Sequence, residues 1–345
     1  MSDRPPSPTT EQARAFVDER LPRSRAVGRE LAELIDRPDD LIAAARAAMP
    51  ALADPGYRAE LDRVIPGVGE AFGVRSPLQE AISRPVMREL RRGSSAEAIW
   101  LAERLIGAPE LEIRSLALGT LRRALDGDPE RAWQLIRRLA GRASCWVDVD
   151  GLAGVVCAGI MREPYRWAEL EQLVYSRNQW ERRLVGSSVA TLPHGMSGAA
   201  RASLVATPAL SLVESLLGDA EPYVQKSLGW ALRSWCAVDS PGVLRLLDVE
   251  ASRAARTRDG NRAWVIRDSL SALPPSDAAA LRARLDGVRR RPGAPSTSAA
   301  TAVAAPLIDL LTRRDEEEPE LRARRHERRD VTRAAVHAPE RSAQG

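Results

Sequence analysis

The chain has 345 residues and a formal net charge of +4, from 51 Lys plus Arg against 47 Asp plus Glu. That length buries a sizeable core, and the mildly basic balance permits nucleic-acid binding without demanding it. No apolar run approaches ~18 residues, which excludes a membrane-spanning helix, and Met1 to Thr10 lacks a hydrophobic signal region, so a cytoplasmic protein is expected.

In chain order, residues 1–10 are Pro/Ser-rich and read as disordered. Helical patterns follow at 11–35 and 39–52. Val64 to Arg75 is a Gly/Pro-rich turn region whose glycines fit no phosphate-binding fingerprint, because no strand precedes them. From residue 77 the 3.6-residue period predicts helices near 77–92, 94–106, 110–125, 129–140, 146–161, 164–175, 179–191, 199–217, 222–237, 241–249, 261–271 and 277–289. Pro129, Pro164, Pro222 and Pro241 sit near helix starts, and Gly127, Gly218 and Gly260 fall in gaps. Strand signals are nearly absent. Corresponding helices recur every roughly 35–45 residues, the period of HEAT-type repeats. The expected fold is therefore all-α, a HEAT-like helical-repeat solenoid over 11–290 with a concave face. Residues 291–345 read as a Pro/Ser/Ala/Thr-rich linker and a charged, disordered tail. Positions 313–330 of that tail hold seven Arg and seven acidic residues.

The segment Val224 to Arg233 carries the most information. Val224, Leu228, Ala231, Leu232 and Trp235 form one apolar stripe. Trp230 lies roughly 200° from Leu228 at about 100° per residue, away from that stripe. Lys226, Trp230 and Arg233 share the opposite face. A large aromatic between two cations suits an anionic, stackable partner, and nucleic acid is the obvious one. Upstream, Trp146 and Asp150 are i and i+4 neighbours, and a carboxylate beside an indole can stabilise a developing cation. Trp100, Trp133, Trp167 and Trp264 fall within apolar stripes and read as core. Cys145, Cys157 and Cys236 have no CxxC spacing and read as reduced thiols. With three His in the chain, neither a metal site nor a cofactor is expected.

Taken together, Trp146 with Asp150, then Trp180-x-x-Arg183, then Lys226-x-x-Gly229-Trp230-x-Leu232-Arg233 resemble the motifs of AlkD-like DNA alkylation repair proteins. The resemblance covers about residues 60–270 and is strongest from 144 to 235. It implies a glycosylase that excises cationic N3- and N7-alkylated purines from double-stranded DNA, acting as a monomer. Trp146 and Trp230 would flank the damaged nucleotide, and Asp150 would stabilise the oxocarbenium sugar and position water. Arg183 would hold a backbone phosphate. Lys226 and Arg233 would be further phosphate contacts. Two features depart from the family pattern. Cys145 stands where the family often has a further Trp, and the region near Arg63 to Pro66 lacks the family's early Tyr, although Tyr57 is nearby.

Each residue also has a plainer reading. Asp150 could serve the helix dipole in a first turn, a role that suits Asp148 better. Arg182 is chemically as good a phosphate ligand as Arg183. Trp146 could be a core or groove indole, and Trp230 could pack against a neighbouring helix. The competing functions are a non-catalytic DNA-binding solenoid and a protein-interaction solenoid.

Overall fold

A computed structural model of the protein describes residues 8–196 and 198–306. The described residues form helices joined by turns, with no strand and one isolated bridge, Glu70 to Glu110. The helices are α1 (Pro8–Ala32), α2 (Pro38–Ala48), α3 (Pro55–Val64), α4 (Ser76–Leu90), α5 (Ser95–Ile106), α6 (Leu111–Ala124), α7 (Pro129–Arg142) and α8 (Trp146–Arg162). They continue with α9 (Arg166–Gln172), α10 (Gln179–Thr191), α11 (Gly198–Ala202), α12 (Ala206–Leu216), α13 (Pro222–Thr257), α14 (Gly260–Ser269) and α15 (Pro275–Arg284).

Local chemistry sets most of the starts. Ser94 and Glu97 form a reciprocal capping box on α5. Asp54, Asp128, Asn178 and Asp259 accept first-turn N–H groups of α3, α7, α10 and α14. Proline opens α2, α3, α7, α13 and α15, where its missing N–H costs nothing.

The helices stack in two rows. One row runs α1, α4, α6, α8, α10, α13 and α14, each packed on the next. The other row backs it through α2, α5, α7, α9, α12 and α15. Neither row buries its apolar stripe alone, so the repeats share one continuous core from Val27 to Ala300. Trp133 and Trp235 are fully buried within it. This is the all-α helical-repeat architecture that the periodicity implies.

Several details depart from the sequence-based expectation. Helix α3 lies where no helix was expected, because its apolar residues pack not on the main core but in a small separate cluster of Leu61, Ile65, Val68, Leu111 and Cys145. The single helix expected at 199–217 is two, α11 and α12. The pair expected at 222–237 and 241–249 is present within α13, where Asp239, with φ of −142° and ψ of 74°, breaks the helix just before Pro241; the departure is that the second helix runs on to Thr257. Trp100 is 48% exposed rather than core, and Trp167 and Trp264 are half-buried. Residues 8–10 begin α1 instead of being disordered, whereas 1–7 lie outside the described residues.

The expected linker is also corrected over 291–306. Thr297 N donates to the Gly218 carbonyl at 2.9 Å, and Ser298 and Ala300 are buried. Residues 299–306 are helical. The segment is thus a strap docked on α13 and α14; the charged tail beyond it lies outside the described residues.

The Gly/Pro turn before α4 binds its own chain. The Glu112 carboxylate, 1% exposed, accepts the backbone N–H groups of Phe72 (3.0 Å), Gly73 (2.8 Å) and Val74 (3.0 Å). Those donors are spoken for, as expected for a loop that is not a phosphate cradle.

Candidate active site

The N-terminal turns of α8, α10 and α13 meet side by side. Asp150 sits on the second turn of α8, with its side chain 22% exposed. Its Oδ1 accepts Arg183 Nε at 3.1 Å and Ser187 Oγ at 2.6 Å, and its Oδ2 accepts Arg183 Nη2 at 2.7 Å. Arg183 and Ser187 are one turn apart on α10 and both are buried. Arg183 Nη1 then donates to the Tyr223 carbonyl on α13 at 2.6 Å. A single guanidinium therefore ties three successive helices and fixes the carboxylate from two sides.

The accounting leaves Asp150 one acceptor position. A carboxylate offers about four lone-pair sites; the three bonds above use two on Oδ1 and one on Oδ2. Arg183 likewise spends three of its five N–H groups on these partners. The phosphate role expected of Arg183 is therefore secondary: its first commitment is to hold Asp150.

Trp146 stands one turn before Asp150 and is half-buried. Its indole N–H donates to the Val64 carbonyl at 3.4 Å, and it packs on the small cluster formed by α3 and Cys145. Tyr57 packs on the same cluster, so the fold returns an early-helix tyrosine to the neighbourhood of Trp146. Arg75 lies 5.0 Å over the Tyr57 ring. Cys145 is fully buried. Burial, reinforced by the Asp148 carboxylate, pushes its thiol up to about 11, so it is no nucleophile at neutral pH. Asp148 itself pairs with Arg114 at 3.2 Å.

On α13 the stripe of Val224, Leu228, Ala231, Leu232 and Trp235 is fully buried. Lys226 is exposed, whereas Trp230 on the same side is half-buried and packs against the edge of the core. Trp230 is preceded by close packing: a Cβ on its neighbour Gly229 would lie 2.1 Å from Asp268 Oδ2. Only glycine lets α14 approach there. Arg233 donates to the Asp268 carbonyl at 2.6 Å and pairs with its carboxylate.

Arg182 is similarly engaged. Its Nε donates to the buried Asp219 carboxylate at 2.7 Å and its Nη1 to the Ser176 and Arg177 carbonyls. Arg182 and Arg233 are thus ties between repeats. The ties share a spacing: Arg114 to Asp148 spans 34 residues, Asp150 to Arg183 spans 33, Arg182 to Asp219 spans 37 and Arg233 to Asp268 spans 35. Each is about one repeat long; three of them lock neighbouring helices of the first row, and the Arg182 tie joins α10 to the turn before α13.

One feature was missed from sequence. The rings of Trp180 and Tyr223 stack with centroids 4.9 Å apart, and Lys226 Nζ lies 5.8 Å from the Tyr223 centroid. Trp180 begins the motif that ends in Arg183, and this spacing could have marked it. Tyr223 had no signal, because its partner is a repeat away.

A family model described as DNA alkylation repair enzyme matches residues 45–260, more than half of the chain and all of the residues above except the later Asp268. The chain belongs to the DNA alkylation repair enzyme family. It therefore belongs with the enzymes that repair alkylated DNA. A solved structure, a predicted DNA alkylation repair enzyme from Enterococcus faecalis, is similar at 15% identity, covering 57% of this chain and 89% of its own, with a TM-score of 0.49. No curated protein matches the chain. No helix among the described residues is long and apolar enough to cross a membrane.

Proposed function

We propose that this family member is a DNA glycosylase that hydrolyses the N-glycosidic bond of cationic N3- and N7-alkylated purines in duplex DNA. The observation that carries the reading is the Asp150 carboxylate: rigidly held by Arg183 and Ser187, yet still 22% exposed with an acceptor site left on Oδ2. A carboxylate pinned in this way needs no reorganisation when positive charge grows on the deoxyribose.

The chemistry suits the residues. An alkylated purine already carries positive charge and leaves readily, so no strong general acid is required. The catalyst must stabilise the oxocarbenium sugar, and that stabilisation raises the rate only because the charge is larger in the transition state than in the substrate. Asp150 supplies it and orients the attacking water through Oδ2. The ring faces of Trp146 and Trp230 flank the nucleotide and add quadrupole attraction. The two N–H groups that Arg183 retains are available to a phosphate oxygen next to the lesion, and Lys226 to a further one. Lys226 leans over Tyr223, which favours water over a lysine as the nucleophile.

The same Asp150–Arg183 pair also resembles the three purely structural ties in length, which favours a second reading, a DNA-binding solenoid without excision. Single-turnover release of 7-methylguanine from a methylated duplex separates the two. The glycosylase reading requires release by the wild type and loss of at least about a hundredfold in Asp150→Asn, with duplex binding retained. Equal release by both proteins would sink it.

A further inference from the structure

A second cationic site lies three helices away from Asp150, outside the reach of its motif. A cavity of about 290 Å³ opens between the end of α13, the start of α14 and the strap, lined by Arg253, Arg258, Arg262, Arg289 and Arg291 with Asp259. Arg262 is buried and neutralised by Glu250 and Asp259. Arg253 stands 3.9 Å from the same Glu250. The side chains of Arg289 and Arg291 are exposed and make no hydrogen bond or ion pair among the described residues. Glu250, Asp259 and Glu214, whose charge also acts on Arg262, thus stand against five guanidinium groups, a local excess of two positive charges.

The pocket is built, not incidental. Gly260 lets the strap close over α14: a Cβ there would sit 2.1 Å from the Arg289 carbonyl. Asn261 holds the strap through the Pro295 carbonyl at 3.2 Å. Arg258, at the end of α13, adopts φ 58° and ψ 33°. It is the single non-glycine residue with positive φ among the described residues. Glycine is the favoured residue in that left-handed C-terminal position, so a long arginine there is kept against conformational preference.

The pocket also shares an end of the solenoid with the Asp150 centre. Arg183 reaches the Tyr223 carbonyl at the start of α13. Gln225, two residues on, donates to Asn261 at the start of α14 at 3.2 Å. Three helix steps of about 8–10 Å each separate α8 from α14, roughly 25–30 Å. At 3.4 Å per base pair that is about eight base pairs.

Resting on the reading of Asp150 as the lesion centre in duplex DNA, we propose that this arginine pocket clamps a backbone phosphate of the flanking duplex, about eight base pairs from the damaged nucleotide. Guanidinium groups suit phosphate oxygens geometrically, and each contact releases counterions.

The test uses the full chain and duplexes with a central 7-methylguanine, with arms of about four or about twelve base pairs, below and above the expected reach. Binding is read by fluorescence anisotropy and excision by single turnover on the same duplexes. The wild type should bind the long-arm duplex at least about tenfold more tightly than the short-arm one. Arg289→Ala/Arg291→Ala should abolish that preference and lower the slope of log K against log salt by about two, one per contact. Arg258→Gly should hold or raise Tm while weakening the long-arm preference, a combination that a structural role would not give.

An unchanged arm preference and salt slope in the double variant would overturn the clamp. So would inorganic phosphate at matched ionic strength competing equally with both arm lengths, which would mark a free-anion site. Because binding and excision are read separately, arm-dependent binding without excision would strike the glycosylase reading and leave the clamp standing. Excision without arm dependence would do the reverse.

Discussion

Glu112 on α6 and Asp150 on α8 are carboxylates on neighbouring helices of the same row, and they accept hydrogen bonds in the same pattern. Each takes two on one oxygen and one on the other. They differ in donors and in access. Glu112 is sealed at 1% exposure against three backbone N–H groups, whereas Asp150 is held by side chains of the next helix and stays partly open. The number of hydrogen bonds therefore does not tell scaffold from site. At Glu112 backbone donors close a loop onto the core, while the side-chain donors of α10 leave Asp150 partly open.

That contrast can be broken by substitution, and the largest effect belongs to Asp150. Asp150→Asn should lower single-turnover excision by at least about a hundredfold with far-UV circular dichroism unchanged. If Tm falls as much as activity does, the two carboxylates are alike after all. Glu112→Ala should do the opposite. It strands three backbone donors in the core and should destabilise by about 3–5 kcal/mol, read by urea denaturation, while the protein that remains folded excises normally.

Two smaller effects sharpen the comparison. Gly229→Ala forces a methyl group against Asp268 and disturbs the Arg233 tie. A cost of about 1–3 kcal/mol is expected, with a shift of Trp230 fluorescence reporting any movement of its face. The smallest effect concerns Glu110, whose hydrogen bond from Arg46 at 2.6 Å holds its carboxyl below the usual value of 4.5 despite burial. A carboxyl with a depressed folded pKa stabilises the fold above its unfolded pKa, and that contribution fades as pH falls through the folded one. The Tm difference between wild type and Arg46→Ala should accordingly be constant near neutral pH and shrink below about pH 4.5; a difference that persists there would assign the effect to packing.

Part of the candidate site is legible in the sequence. The full burial of Trp235, the lesser burial of Trp230 and the one-turn spacing of Trp146 and Asp150 follow from helical spacing within single segments. The roles of the arginines did not. Arg182 and Arg233 read as surface cations because the carboxylates that claim them, Asp219 and Asp268, lie 37 and 35 residues away. Helix α3 was missed because its apolar residues face a small private cluster, too few to set up a clear period.

The sequence by itself determined most of the helices, the repeat and the burial of Trp133 and Trp235, because a 3.6-residue period is a local property of neighbouring residues. Only the tertiary structure decided which carboxylate meets which guanidinium, which aromatic rings stack, and that residues 291–306 form a strap instead of a linker. Those outcomes depend on the register of one helix against the next, and a shift of a single turn, about 5.4 Å, would pair different side chains without changing any local pattern.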